Sequence, residues 1–448
     1  MNSYSEYKDS GVEWLEQTPI HWNVLRMKNI MSPLEGRSQT GDEELLSVTI
    51  EGGVVKRSDY LGNDTESQSR SESLVGYKLV NRTNLVNNIM KMGFRCLGIS
   101  PYDGMVSPAY SVFSLDSELV YYKYIHQLLR INLFVSEYKK RSKGIQESRM
   151  RLYDDYFLDI KVIIPPLHEQ ILISKYLDKK TSQIDSLIEK TQRKILLLKE
   201  QRTSLINQCV TKGLDPNVEM KDSDIEWIGE IPKHWKKVRL KNLFITQFGG
   251  SWGNDPEEEQ IENLVHVIRV TEFDYENLCI SENIPTVRSL ELIKNSIKLV
   301  SKGDLILEKS GGGDNTPVGR LVLVNKSLIS PTINSNFTNL IKIDQTRFVS
   351  KYITYIFNTL YMSGVTRRNI KQTTGIQNLD IGGLFIEPVF IPSQKEMEEI
   401  SIYLDNSTTQ ILLLIKKETQ RINLLKEYRQ SLISNVVTGK IRVTEDMI

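Results

Sequence analysis

Residues 165–213, PPLHEQILISKYLDKKTSQIDSLIEKTQRKILLLKEQRTSLINQCVTKG, read as one long helix, and the chain carries that helix twice. A shift of 227 positions lays its residues 165–212 on 392–439 without a gap: Pro165 falls on Pro392, Glu169 on Glu396, Tyr176-Leu177-Asp178 on Tyr403-Leu404-Asp405. Each copy has its own boundaries. Ser393 with Glu396 reads as a capping box, and Pro166 suits a first turn. Gly213 and Gly439 stand where a helix would end on a left-handed residue. Between these signals Ile184, Ile188, Ile195, Leu198 and Leu205 recur at three and four, as do Ile411, Ile415, Ile422, Leu425 and Leu432. That spacing is the seam of a two-helix coiled coil, interrupted by Thr191 and Glu418. Some 45 helical residues predict a rod of roughly 65 Å.

A second duplication lies upstream. Residues 8–30 recur at 221–243 with a shift of 213: Trp14 meets Trp227, Pro19 meets Pro232, His21-Trp22 meets His234-Trp235, Arg26 meets Arg239. The difference between the two shifts makes the second copy 14 residues longer, and the added length must lie in its middle. Each half is therefore a Trp/Pro leading segment, a variable middle and a long helix. A period this long is a duplicated domain rather than a solenoid. The boundaries read as 1–164 for the leading segment plus first module and 165–213 for the first spacer helix. The linker plus second module take 214–391; the second helix and tail take 392–448.

The middles carry short strand-like runs: Lys78 to Val80, Val106 to Phe113 and Lys161 to Ile164, then Val265 to Ile268, Asp304 to Leu307, Leu321 to Val324 and Phe337 to Ile343. Gly, Asn, Asp and Pro punctuate them. Leu119 to Ser136 and Phe348 to Tyr361 read as helical. The expected fold is mixed α/β: two tandem α/β modules separated by a long antiparallel two-helix coiled coil with pseudo-two-fold symmetry. In such a dumbbell the segment 8–23 would occupy, at the end of the second helix, the place that 221–236 occupies at the end of the first.

A chain of 448 residues with 40% hydrophobic content suits more than one soluble core. No apolar run reaches the length of a membrane span, and the first residues are polar rather than a signal peptide. Cys96, Cys209 and Cys279 are scattered and odd in number, which points to a reducing compartment and a cytoplasmic location. The net charge is +1. A protein that grips nucleic acid by itself is usually basic, so any such grip here needs segregated charge or a partner.

No catalytic motif is present. The run Gly311-Gly312-Gly313 to Gly319 lacks the Lys-Ser/Thr of a phosphate-binding loop, and no paired-His metal site or nucleophile elbow is found. His21 and His234 alone among the histidines recur; each adjoins a tryptophan, and we read both as packing residues. The best binding signal is a near-repeat of basic clusters. The first holds Lys139, Lys140, Arg141 and Lys143, then Gly144-Ile145-Gln146, Arg149 and Arg151; the second holds Arg367, Arg368 and Lys371, then Gly375-Ile376-Gln377. Lys and Arg attract phosphate, while Arg and Gln can read base edges. A single cluster would be a solvated helix end; recurrence in two divergent modules favours a shared ligand surface. Lys309, leading Ser310-Gly311-Gly312-Gly313, is a weaker candidate because the first module has no counterpart.

Together these strings resemble the specificity subunit of type I restriction–modification systems. Glu226-Trp227-Ile228-Gly229-Glu230-Ile231-Pro232-Lys233-His234-Trp235 and Ile164-Pro165-Pro166-Leu167-His168-Glu169-Gln170 are of the kind that open its repeats and helices. The helix endings Val210-Thr211-Lys212-Gly213 and Val437-Thr438-Gly439-Lys440, with Ser107-Pro108-Ala109-Tyr110 and Gly303-Asp304-Leu305-Ile306, fit the same family. The resemblance implies two target-recognition domains, each reading half of a split, asymmetric double-stranded DNA site. It implies two methyltransferase subunits as partners and, for cleavage, two restriction/translocase subunits. S-adenosylmethionine, ATP and magnesium would belong to those partners, with no cofactor in this chain and no membrane. The rival readings are a self-sufficient restriction enzyme, which lacks its motifs here, and a coiled-coil adaptor that never touches DNA.

Overall fold

The computed structural model describes residues 3–61, 73–144, 150–256, 263–291, 296–313, 316–372 and 376–448. The two long helices span Leu167–Lys212 and Gln394–Val437. Pro166 sits just ahead of the first helix, its carbonyl accepting from the N–H groups of Glu169 and Gln170. Gly213 and Gly439 have φ of +74° and +75°, the left-handed ends that the sequence predicts. By contacts the chain divides into two compact units, Met1–Thr191 with Arg421–Ile448, and Gln192–Gln420, so each unit holds part of both helices.

The first unit has a four-stranded antiparallel sheet in the order Met31–Pro33, Tyr110–Leu115, Leu85–Asn88, Leu97–Ile99. The run expected over Val106 to Phe113 is two strands, Gly104–Val106 and Tyr110–Leu115, separated by the turn after Ser107. Leu119 to Ser136 likewise breaks into helices Tyr122–Leu129 and Asn132–Arg141. Their buried faces join Phe113, Phe157 and Val162 in one core, and that core also takes Ile173, Leu177 and Ile184 from the first long helix. Leu432, Ile433, Val436 and Val437 of the second long helix complete it. Within this unit the helices run antiparallel: Lys179 reaches the Ile448 carbonyl, and Asp185 pairs with Arg429 at 2.9 Å.

The second unit repeats that four-strand order with Phe244–Gly249, Thr338–Ile343, Leu305–Glu308 and Leu321–Leu323. Cys279–Ile280 and Phe273–Asp274 extend one edge to six strands. The longer middle of the second copy thus adds strands to a shared sheet order rather than replacing it. Ile206, Cys209 and Val210 pack here with Met397, Ile400 and Leu404, again antiparallel. Of the two interrupting residues, Thr191 donates to the Leu187 carbonyl, and Glu418 pairs with Lys194 at 2.5 Å.

The duplicated ends build the same joint twice. Asn23–Arg26 pairs with Lys161–Ile164 so that Asn23 faces Ile164; Lys236–Arg239 pairs with Pro388–Ile391 so that Lys236 faces Ile391. Those registers are related by the two sequence shifts. Beside each joint a tryptophan, Trp22 or Trp235, is buried. The Trp22 indole N–H donates to Glu169 at 3.1 Å and that of Trp235 to Glu396 at 3.0 Å. His21 and His234 meet the same carboxylates at 2.6 and 3.0 Å. The histidines are therefore exposed carboxylate partners beside the tryptophans rather than packing residues. The capping box at Ser393 is only half made: Glu396 N–H donates to Ser393 Oγ at 3.3 Å, while its carboxylate turns to Trp235 and His234.

The glycine ends close the joint. In the first unit the Tyr7 hydroxyl donates to the Gly439 carbonyl at 3.0 Å, and Gly439 lies against Pro19 and Trp22. In the second, Gly213 lies against Trp235 and Pro232. The leading segment thus takes, at the end of the second helix, the place its copy takes at the end of the first.

Candidate nucleic-acid interface

In the first unit the basic cluster ends the helix Asn132–Arg141, where the helix dipole favours cations. Lys139 Nζ lies 5.9 Å from the Phe94 ring centre. Lys140 pairs with Glu13 at 2.5 Å, and Arg141 pairs with the buried Glu137 at 2.6 Å. Lys143 sits over the Tyr156 ring at 4.4 Å, and its backbone exchanges two hydrogen bonds with Arg151. This bridge brings together the two ends of the cluster and sets the exposed rings of Tyr153 and Tyr156 beside it. The sequence reading missed those tyrosines; their nearness to Arg151 in the chain was the available signal. Gln146 and Arg149 lie outside the described residues.

In the second unit Arg367 and Arg368 end the short helix Val365–Arg368, both exposed. A three-stranded sheet then joins what the sequence keeps apart. Ser310–Gly311 pairs with Gln377–Leu379, which pairs with Ile370–Gln372. Lys309 is fixed at its edge: its N–H donates to the Phe337 carbonyl, and its carbonyl accepts from Leu379 N–H at 2.8 Å. The glycine-rich loop, weak as a separate signal, is thus a neighbour of the basic cluster. Exposed Phe337 and Ile376 lie beside this sheet.

Electrostatic partners sort these cations. Among the described residues no carboxylate pairs with Arg367, Arg368 or Lys309, so each is available to a phosphate. Lys371 instead holds Asp380 at 2.8 Å, and this bond keeps the Asp380 carboxyl below its usual range. Gln377 departs from the expectation of a base-reading side chain. It is 6% exposed, and its amide oxygen accepts from Val318 N–H at 3.3 Å. The alternation of the strand points it inward, where it satisfies the fold.

Among the described residues no group of three His, Cys, Asp or Glu side chains could hold a metal ion. No described helix is long and apolar enough to cross a membrane. The three cysteines are free, and burial raises the pKa of each thiol.

No family model matches the chain. A curated relative is the type I restriction enzyme MjaVIII specificity subunit of Methanocaldococcus jannaschii, 24% identical over 292 residues. That match covers 64% of this chain and 63% of the relative, less than two thirds of its length. In fold, the chain matches one from a structure concerned with complex assembly and conformational transition of the type I R-M system. The TM-score is 0.69 at 12% identity, covering 95% of this chain and 99% of that one. The HsdS subunit from Thermoanaerobacter tengcongensis follows, with a TM-score of 0.53 at 14% identity, covering 95% and 98%. The chain is thus a sequence relative of one type I specificity subunit and shares the fold of type I R-M subunits, as its motifs suggest.

Proposed function

We propose that this chain is the DNA-recognition subunit of a type I restriction–modification complex, without catalytic activity of its own. Each unit would read one half of a split double-stranded DNA target. The observation that carries this reading is the repetition of one joint and one sheet order under unlike loops. At matching points in the chain each unit carries exposed cations at or just past a helix end: Lys139 and Lys143 in one, Arg367 and Arg368 in the other. A shared scaffold holds two readers in place; unlike loops make the two half-sites differ, so the target is asymmetric.

Two methyltransferase subunits are the expected partners, with two restriction/translocase subunits joining for cleavage. Adenine N6-methylation, its S-adenosylmethionine, and ATP with magnesium belong to those partners in this reading. Support comes from the long helices, where exposed leucines repeat: Leu187 with Leu414, and Leu197 with Leu424. Repeated apolar positions left exposed suit two copies of one partner. The near-zero net charge also fits a subunit that completes its hold on DNA with a partner's help.

The test maps N6-methyladenine across the source genome with and without this gene. A two-part motif with a fixed unread gap should vanish on deletion; an unchanged methylation pattern would overturn the proposal. In a gel shift with the methyltransferase present, replacing Arg367 and Arg368 by Ala should weaken DNA binding and lower the salt slope by about two. Unchanged binding would overturn the assignment of these arginines to the DNA surface.

A further inference from the structure

In the first unit a groove of about 990 Å³ opens between the helices Tyr122–Leu129 and Asn132–Arg141 and the last turns of the second long helix. Its walls carry four cations, Arg95, Arg130, Arg429 and Lys440, against two carboxylates, Glu51 and Glu427. Arg429 is paired with Asp185. Arg130 spends its donors on backbone carbonyls alone: those of Ile50 and Glu51 at 2.7 and 2.8 Å, and those of Arg95 and Leu97. Such bonds hold the guanidinium in place without neutralising it.

Arg95 is less well served. One of its terminal nitrogens donates to Asn132, while its Nε–H is buried with no partner. Its backbone has φ of +63°, a left-handed conformation that glycine or asparagine adopts more readily. The left-handed backbone closes the short turn Met92–Phe94, the Arg95 N–H donating to the Met92 carbonyl at 2.9 Å, and leaves an incompletely bonded guanidinium on the groove wall. Burial lowers the pKa of Arg95; burial and then the nearness of Arg95 bring that of Arg130 down to about 10.

The second unit has a groove at the matching place, between Ser350–Met362 and the end of the first long helix, with a volume of about 500 Å³. Glu200 and Ser204 of its lining align with Glu427 and Ser431, yet Lys199 is the only cation among the residues lining it. The groove therefore comes with the scaffold, and the arginines do not.

We propose that the groove of the first unit binds a phosphate group, with Arg95 as its main donor and Arg130 and Lys440 supplying the field. The phosphate could come from a DNA backbone or from a free phosphate compound. This proposal is independent of base reading, because a small anion suffices to test it. The probe is inorganic pyrophosphate, titrated calorimetrically into the full chain at low salt. We expect one site per chain, weakened about tenfold or more by Arg95→Asn and less by Lys440→Gln. Lys199→Gln in the other groove should leave it unchanged. Because asparagine suits the left-handed backbone, Arg95→Asn should melt no lower than wild type; if it does melt lower, Lys440→Gln decides. Absence of pyrophosphate binding, or equal affinity in these groove variants, would overturn the proposal. A mixed-sequence duplex separates the sources. Competition with pyrophosphate, with loss of duplex affinity in Arg95→Asn, assigns the phosphate to DNA; no competition, with pyrophosphate still bound, assigns it to a free compound.

Discussion

At the scale of single residues, Glu169 and Glu396 do more than the sequence suggests. Each closes the first turn of a long helix by accepting from a buried indole N–H. Glu169 takes a third donor, the Tyr4 hydroxyl at 2.8 Å. Glu169→Ala would leave the indole N–H of Trp22 without its acceptor, at a cost of about 2 kcal/mol. Chemical denaturation should read that loss, with Glu169→Gln losing less; no change in midpoint would refute the role. The repeated Glu, His and Trp are visible in sequence, but their pairing is not, because the partners lie 147 and 161 positions apart.

His126 gives a pH-dependent prediction. Its Nδ1 accepts from Ile99 N–H at 3.1 Å, and burial, then nearby Arg130, lower its pKa from 6.5 to about 4. The folded ring stays neutral until pH nears 4, whereas the unfolded ring takes up its proton near 6.5. Acidification between those values therefore favours unfolding, by about 2 kcal/mol after allowance for the ring's partial exposure; above 6.5 the effect is absent. Urea midpoints of wild type and His126→Asn should diverge in their pH slopes only in that window.

At the scale of elements, the helix ends carry the sharpest demand. A Cβ on Gly439 would stand 2.6 Å from Pro19 Cδ, on a backbone with φ of +75°. On Gly213 the nearest atom would be Glu396 Oε1 at 3.3 Å, the end of a side chain that can yield. Gly439→Ala should therefore cost about 2 kcal/mol or more, and Gly213→Ala about 1 kcal/mol, the left-handed penalty alone. Thermal melts that rank them the other way would refute this account. Helix existence and both glycine ends were legible from periodicity and punctuation. The strand runs were legible too, but not their partners, since pairing of Ser310 with Asn378 or of Asn23 with Ile164 depends on distant chain. Gln377 was misjudged for that reason: only the pairing decides which face of its strand is buried.

At the scale of the whole molecule, the first unit needs both ends of the chain. Leu432, Ile433, Val436, Val437, Ile441 and Val443 belong to the same core as Trp22 and Phe113. Burial of side chains like these is worth about 1.5–3 kcal/mol each, so losing all six, roughly 9–18 kcal/mol, is as large as the whole 5–15 kcal/mol that typically holds a domain. A fragment of residues 1–213 is therefore expected to be unfolded or to complete itself with a second copy, never a stable monomer. Sedimentation with circular dichroism checks this; a folded monomer would refute it.

Local chemistry settled a great deal without any fold. Periodicity, capping signals and two unequal shifts established two copies of one design and located the added length. They also placed the basic clusters and excluded the familiar catalytic motifs, because each of these depends on residues close together in the chain. Tertiary structure alone decided which cations are free and which are bound to carboxylates. It also decided that the glycine loop adjoins the second cluster, and that four cations of the first unit line one groove. Charge is neutralised in space, across whatever chain the fold brings near, and no reading along the sequence measures that distance.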